Sequence, residues 1–266
     1  MTTLAEAFGT AKAEGRAALL GYLPAGFPTL TGGQDALAAM VAAGVDIVEV
    51  GLPYSDPLMD GPVIQRAVEM SLAGGTTTAD VLATVKAAAA SGAATVVMSY
   101  WNPVERYGVA AFADAVAAAG GAGVITPDLI PDEAQEWRAA ADAAGIDPVF
   151  LVAPSSTPAR IARVAGASRG FVYAASTMGV TGVRAAVGSG AADLVARVRA
   201  ASDLPVAIGL GVSTRAQAAE VAAFADGVVV GSAFVARLLD APDPDAGVAA
   251  VAALAGELAE GCRHRG

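Results

Sequence analysis

Eight short apolar runs, separated by alanine-rich helical segments, restrict the fold of this chain more than any other feature. They are AALLGYL (17–23), DIVEVG (46–51), TVVMSY (95–100), GVIT (123–126), PVFLV (148–152), GFVYA (170–174), PVAIG (205–209) and GVVVG (227–231). Between them the sequence predicts helices, among them Gln34–Ala43, Ala79–Ala90, Val109–Ala119, Glu133–Ala144 and Ala216–Phe224. Strands that are apolar throughout, rather than alternately, indicate a parallel sheet covered on both faces. Eight of them in 266 residues match an α/β fold of the (β/α)8 (TIM) barrel type. A doubly wound open sheet is the alternative, but the turn after the first run reads GYLPAGFP, not G-x-G-x-x-G. No Ser/Pro linker or composition break interrupts the pattern, so residues 1–266 are read as a single domain. Ahead of the first strand, MTTLAEAFGTAKAEGR places Leu4, Ala7 and Phe8 on one side of an extra N-terminal helix.

The net charge of −10 argues against nucleic acid as a partner, because phosphate neutralisation needs a surplus of Lys and Arg. The one cysteine, Cys262, excludes an internal disulfide and reads as a tolerated thiol in a polar tail, GCRHRG. No stretch has the uninterrupted apolar length of a membrane span, and the N-terminus lacks the apolar core of a secretory signal. A soluble, cytoplasmic protein is expected.

In a barrel of this type, chemistry sits at the C-terminal ends of the strands. In VEVGLPYSDPLMDGPVIQ (48–65) a glutamate interrupts an apolar strand and two aspartates follow it. Alternation puts Ile47, Glu49 and Gly51 on one face and Asp46, Val48 and Val50 on the other. Asp46 is at the start of its strand and reads as structural; Glu49 is near the end and can point into the mouth. The bland alternative for Glu49 is a buried glutamate paired with an arginine. No strand run holds a Lys or Arg, however, and Arg16 and Arg169 lie just before strands, at the wrong end. An unpaired carboxylate among aliphatic groups has its acid form favoured, which suits a proton shuttle. Asp56 and Asp60 lie in a Pro/Gly-punctuated loop, where a turn and a helix cap compete with catalysis as explanations.

Glycine-bearing turns follow the sixth, seventh and eighth runs: STMGVTG, GLGVS and GSAFV. Gly209 and Gly211 allow close approach of an anion, and Gly231 and Ser232 can open a helix whose amides point at it. The three turns together predict a phosphate site; singly, each would be an ordinary tight turn. The chain also lacks tools that other chemistries need. Lys12 and Lys86 lie outside the strands, which disfavours a Schiff base, and the single histidine, His264, is in the tail, which disfavours a zinc site. No metal and no cofactor are expected. What remains is acid–base work on a phosphorylated small molecule.

VEVGLPYSDPLMDGPVIQ, SYWNPVERYG, GFVYAASTMGVTG, PVAIGLGVST and GVVVGSAFV together resemble the tryptophan synthase α-subunit family, in order and over nearly the whole chain. The resemblance implies a carbon–carbon lyase that cleaves indole-3-glycerol phosphate to indole and glyceraldehyde 3-phosphate. It also implies a β-subunit partner in an α2β2 complex that receives the indole. The family's catalytic glutamate falls on Glu49 and its catalytic aspartate on Asp60. Its phosphate site falls on Gly182, Gly211, Gly231 and Ser232, and its loop closure on Thr181 and Asp56. Tyr22, Tyr100, Ile125 and Leu210 fall on the indole pocket, and Tyr173 reaches toward Glu49. Leu210 stands where phenylalanine is common in the family, and Thr177 where some members have arginine. Three other readings remain: a lyase working without a β partner, a regulatory subunit with little catalysis, and another phosphate-binding barrel enzyme. Glu49, Asp60 and the three turns count against a regulatory subunit.

Overall fold

A computed structural model describes residues 2–175, 190–209 and 211–263. Its strands are β1 (Ala18–Pro24), β2 (Ile47–Gly51), β3 (Ala94–Met98), β4 (Gly123–Ile125), β5 (Asp147–Val149), β6 (Leu151–Val152), β7 (Val172–Ala175), β8 (Val206–Gly209) and β9 (Gly227–Val230). All pairings are parallel, in the order β5-β4-β3-β2-β1-β9-β8-β7-β6. The two ends of that order, β5 and β6, are halves of one run of chain interrupted at Phe150. The sheet is therefore a nearly closed (β/α)8 barrel, and each of the eight predicted runs supplies a strand.

Alternation along the strands sorts the core into two layers. Leu20, Ile47, Val96, Ile125 and Val229 face inward and pack together, while Leu19, Val48, Val50, Val97 and Val228 pack outward against the helices. The helix Leu4–Ala13 belongs to the inner layer, with Leu4, Ala7, Phe8 and Ala11 all buried. It starts at a capping box in which Thr3 accepts the Glu6 amide and Glu6 reaches back to the Thr3 amide. Its apolar stripe closes the N-terminal end of the barrel, and burial of Leu4 and Phe8 contributes about 1.5–3 kcal/mol each. The Phe8 and Phe171 rings lie 5.4 Å apart, and Phe171 lies 6.4 Å from Tyr173, so aromatic contacts run from this plug toward the opposite mouth.

The structure departs from the sequence reading at several element ends and at Cys262; the helix expected from Glu133 starts at Gln135, after a 3-10 turn at Pro131–Glu133, and the one expected to reach Phe224 ends at Ala222. The second helix starts at Leu30 rather than Gln34, because the Thr29 hydroxyl caps it by accepting the Gly32 amide at 3.1 Å; a good cap outweighs two glycines in the first turn. The third strand ends at Met98, with Ser99 and Tyr100 leading into a helix at Trp101–Tyr107. Cys262 does not sit in a polar tail. It ends the helix Pro244–Cys262 and is 1% exposed, with its carbonyl accepting the Ala17 amide at 3.0 Å. Burial pushes its thiol up to about 12, so it is inert as a nucleophile. No helix among the described residues is long and apolar enough to cross a membrane.

Candidate active site

Glu49 is the third of five residues in β2, on the same inward face as Ile47, and is 1% exposed. Among the described residues no donor reaches its Oε1. Burial alone pushes the carboxyl up to about 8. An ionised carboxylate in such surroundings loses hydration that nothing replaces, so the proton is held until well above the ordinary range.

The arginines nearest in sequence to the strands are engaged at the other end of the barrel. Arg16 makes a two-pronged pair with Asp46, at 2.7 and 2.8 Å, and Asp46 also accepts the Leu19 amide at 2.8 Å. Arg169 pairs with Asp147 at 3.3 Å and with Asp142. Asp46 is thus structural, as its place at the strand start predicts, and no guanidinium of the described residues meets Glu49.

Tyr22 on β1 is the register partner of Glu49 on β2, and it is also buried. Burial raises its phenol first, with Asp60, Tyr100, Glu49 and Tyr173 adding to the effect, so these five groups share one electrostatic neighbourhood. Burial and then Glu49 raise the phenol of Tyr173 on β7, so it belongs to the same electrostatic neighbourhood. Gly51 completes the β2 face: a Cβ there would run into the Tyr22 hydroxyl and ring. Gly209 at the end of β8 does the same for Tyr173, since a Cβ would lie 2.8 Å from its hydroxyl.

Asp60 closes the irregular loop after β2. Its backbone carbonyl accepts the Gln65 side-chain amide at 2.8 Å, and its Oδ1 accepts the Tyr100 hydroxyl at 2.9 Å. Burial raises its carboxyl and the Tyr100 bond lowers it. The cap explanation fails here: the helix Pro62–Ala73 has Gly61 as its N-cap and no side-chain cap bond. Asp56 is exposed, and its Oδ2 accepts the Ser55 hydroxyl at 2.5 Å. Ile125 lies on the inward face of β4 but is fully buried, within the apolar core below the carboxylates.

Of the three phosphate turns, GSAFV is described in full and GLGVS in part. Gly211 has φ +68°, a left-handed conformation that suits glycine. Gly231 is the N-cap of the helix Ser232–Leu239, and its carbonyl accepts the amides of Phe234 and Val235 at 3.0 and 3.2 Å. The amides of Ser232 and Ala233 precede that ladder and are the ones an anion would meet. A Cβ at Gly231 would stand 3.3 Å from the Tyr22 ring, so this turn borders the carboxylate pocket. Thr177, Thr181, Gly182, Leu210 and His264 lie outside the described residues.

The sequence reading missed how Asp60 is held. Tyr100 was expected only as pocket wall, yet its hydroxyl bridges the Met59 amide, at 3.0 Å, and the Asp60 carboxylate. The available signal was a tyrosine directly after the third strand, the position where a barrel places functional side chains.

Comparison with known proteins identifies the family. The family described as Tryptophan synthase alpha chain matches residues 8–263. Tryptophan synthase alpha chains of Thermobifida fusca and Acidothermus cellulolyticus are 60% and 61% identical, each over 99% of this chain and 98% of the relative. A structure of Mycobacterium tuberculosis tryptophan synthase aligns with TM-score 0.93 at 56% identity, covering 99% of both chains. Tryptophan synthase subunit alpha of Legionella pneumophila aligns with TM-score 0.88 at 30% identity, covering 98% of both. A match over nearly the whole length, at such identity, shows that the chain belongs to the tryptophan synthase alpha chain family.

Proposed function

We propose that this chain, working as one barrel domain, cleaves indole-3-glycerol phosphate to indole and glyceraldehyde 3-phosphate with Glu49 and Asp60 as its acid–base pair. The observation that carries the reading is Glu49, buried in the mouth with Oε1 unpartnered among the described residues and its proton held to about 8. In its acid form Glu49 gives a proton to C3 of the indole ring. Asp60, ionised, accepts the ring N–H and offsets the positive charge that this protonation creates. Glu49, now a carboxylate, takes the proton from the hydroxyl on the adjacent side-chain carbon. The bond from that carbon to C3 breaks, its electron pair returns to the ring and the carbon becomes an aldehyde. Glu49 ends protonated, so the cycle closes without a cofactor. Positioned acid–base groups of this sort typically contribute about 10²–10⁴-fold each.

The phosphate is taken by the amides around Gly211, Gly231 and Ser232, with Gly182 as a fourth member by family position. Tyr22, Tyr173 and Leu210 bound the indole, and Thr181 and Asp56 belong to closure of the site. The partner is the tryptophan synthase β subunit in an α2β2 assembly. One of the matched structures is of tryptophan synthase from Mycobacterium tuberculosis, which supports that assignment. A cytoplasmic setting suits the single free thiol of Cys262.

The test is incubation of the purified chain with indole-3-glycerol phosphate, followed by detection of indole. Release of indole that disappears in Glu49→Gln supports the reading, and undiminished release by that variant refutes it. The same assay with and without added β subunit reports the partnership: strong stimulation is expected, and full activity alone would show a lyase that needs no partner.

A further inference from the structure

Asp60 lies at the end of a loop that the sheet scarcely supports. Ser55, Asp56 and Leu58 are exposed, Leu58 by 72%. A carboxylate on such a segment has no fixed direction unless something rigid supplies one. The rigid element is the end of β3. The Ser99 amide donates to the Ile125 carbonyl at 3.1 Å, and its hydroxyl donates to the Tyr100 carbonyl at 2.8 Å. The Trp101 amide donates to both oxygens of Asp128, at 2.9 and 3.1 Å. The backbone of Tyr100 is thus held on both sides. Its hydroxyl reaches across to accept the Met59 amide at 3.0 Å and to donate to Asp60 Oδ1 at 2.9 Å.

Resting on the function proposed above, we infer that Tyr100 is the positioning residue of the Asp60 carboxylate: Gln65 holds the Asp60 carbonyl, while one hydroxyl, anchored just beyond β3, holds the Met59 amide and sets the direction of the carboxylate. The bond favours the ionised form of Asp60, the form that accepts the indole N–H. The other titratable groups around Asp60 are Tyr22 from β1 and Glu49 from β2, with Tyr173 from β7 beyond them and Asp56 on the same loop. None of these is a cation, so among the described residues Tyr100 is the group that offsets the burial of Asp60. A wall residue would work through its ring alone, which lies 5.6 Å from the Tyr54 ring at a tilt of 39°. The hydroxyl separates the two roles.

Tyr100→Phe keeps the ring and removes both bonds. With the full-length chain, kcat/KM for indole-3-glycerol phosphate should fall about 10- to 100-fold, the range expected for loss of a bond to a charged group. The fall should lie in kcat more than KM, and the acid limb of the pH profile should move up by about one pH unit. In an Asp60→Asn background, adding Tyr100→Phe should cost little more. Independently of turnover, the Asp60 carboxyl followed by carbon-13 NMR should titrate at higher pH in Tyr100→Phe than in the parent. An unmoved Asp60 titration overturns the inference, as do losses that multiply fully in the double variant. A parent that releases no indole, together with an Asp60 titration that shifts in Tyr100→Phe, would remove the lyase reading and leave the positioning role standing.

Discussion

Tyr22 and Glu49 are register partners across β1 and β2, and both are buried at the mouth of the barrel. An acid whose Oε1 no donor reaches among the described residues thus sits beside a phenol whose own ionisation is suppressed, and neither relieves the other of a charge. Proton transfer at such a site is governed by the substrate that enters it.

Glu49→Gln should abolish turnover and raise stability. The carboxyl goes from an ordinary 4.5 to about 8 on folding. Between those values the folded chain keeps a proton that the unfolded chain has released, so the wild type loses stability as pH rises, by at most about 1.4 kcal/mol per pH unit. The glutamine variant lacks this loss. Its advantage in urea denaturation should be small near pH 5, grow toward pH 8 and then level off. A difference that stays constant over the range would contradict the buried, unpaired state.

The two carboxylates should give a bell-shaped dependence of kcat/KM on pH. The reaction needs Asp60 ionised and Glu49 protonated. The acid limb should therefore lie above the usual carboxylate range, where burial has moved Asp60, and the basic limb should lie near 8. Because the groups interact, the limbs belong to the pair. A rate still rising above pH 9 would exclude protonated Glu49 as the donor.

Ser232→Ala should raise KM more than it lowers kcat. Ser232 opens the helix that follows β9, where binding of a phosphate remote from the breaking bond is uniform between substrate and transition state. Inorganic phosphate, as a competitive inhibitor, should weaken in parallel. A fall confined to kcat would place Ser232 in the chemistry instead.

Gly209→Ala should reduce activity with the fold intact, because its Cβ would stand 2.8 Å from the Tyr173 hydroxyl and push that ring toward Glu49. Adding Tyr173→Phe to the variant should recover part of the loss. No recovery would locate the damage elsewhere.

Arg16→Ala should do the opposite. It strands Asp46 half-paired at the closed end of the barrel, and a cost of about 2–4 kcal/mol in unfolding free energy is expected, with kcat unchanged. A change in kcat would mean that the two ends are coupled.

The sequence by itself determined a parallel sheet buried on both faces, because each strand is apolar throughout, and eight such runs without G-x-G-x-x-G favoured a barrel; its closure, with β5 and β6 at the two ends of the strand order, belongs to the tertiary structure. The sequence also separated Asp46 from Glu49, since position along a strand decides which end of a barrel a side chain meets. Helix and strand limits were less legible where caps intervened, as at Thr29, and the polar residues that follow Cys262 hid its burial at the end of the last helix. What only the tertiary structure decided were relations between distant segments. Residues 60 and 100 are bonded because the end of β3 overhangs the loop after β2, and no local pattern encodes that reach. The isolation of Glu49 is of the same kind: the absence of a cation from its strand is visible in sequence, but the engagement of Arg16 and Arg169 elsewhere is a property of the folded chain.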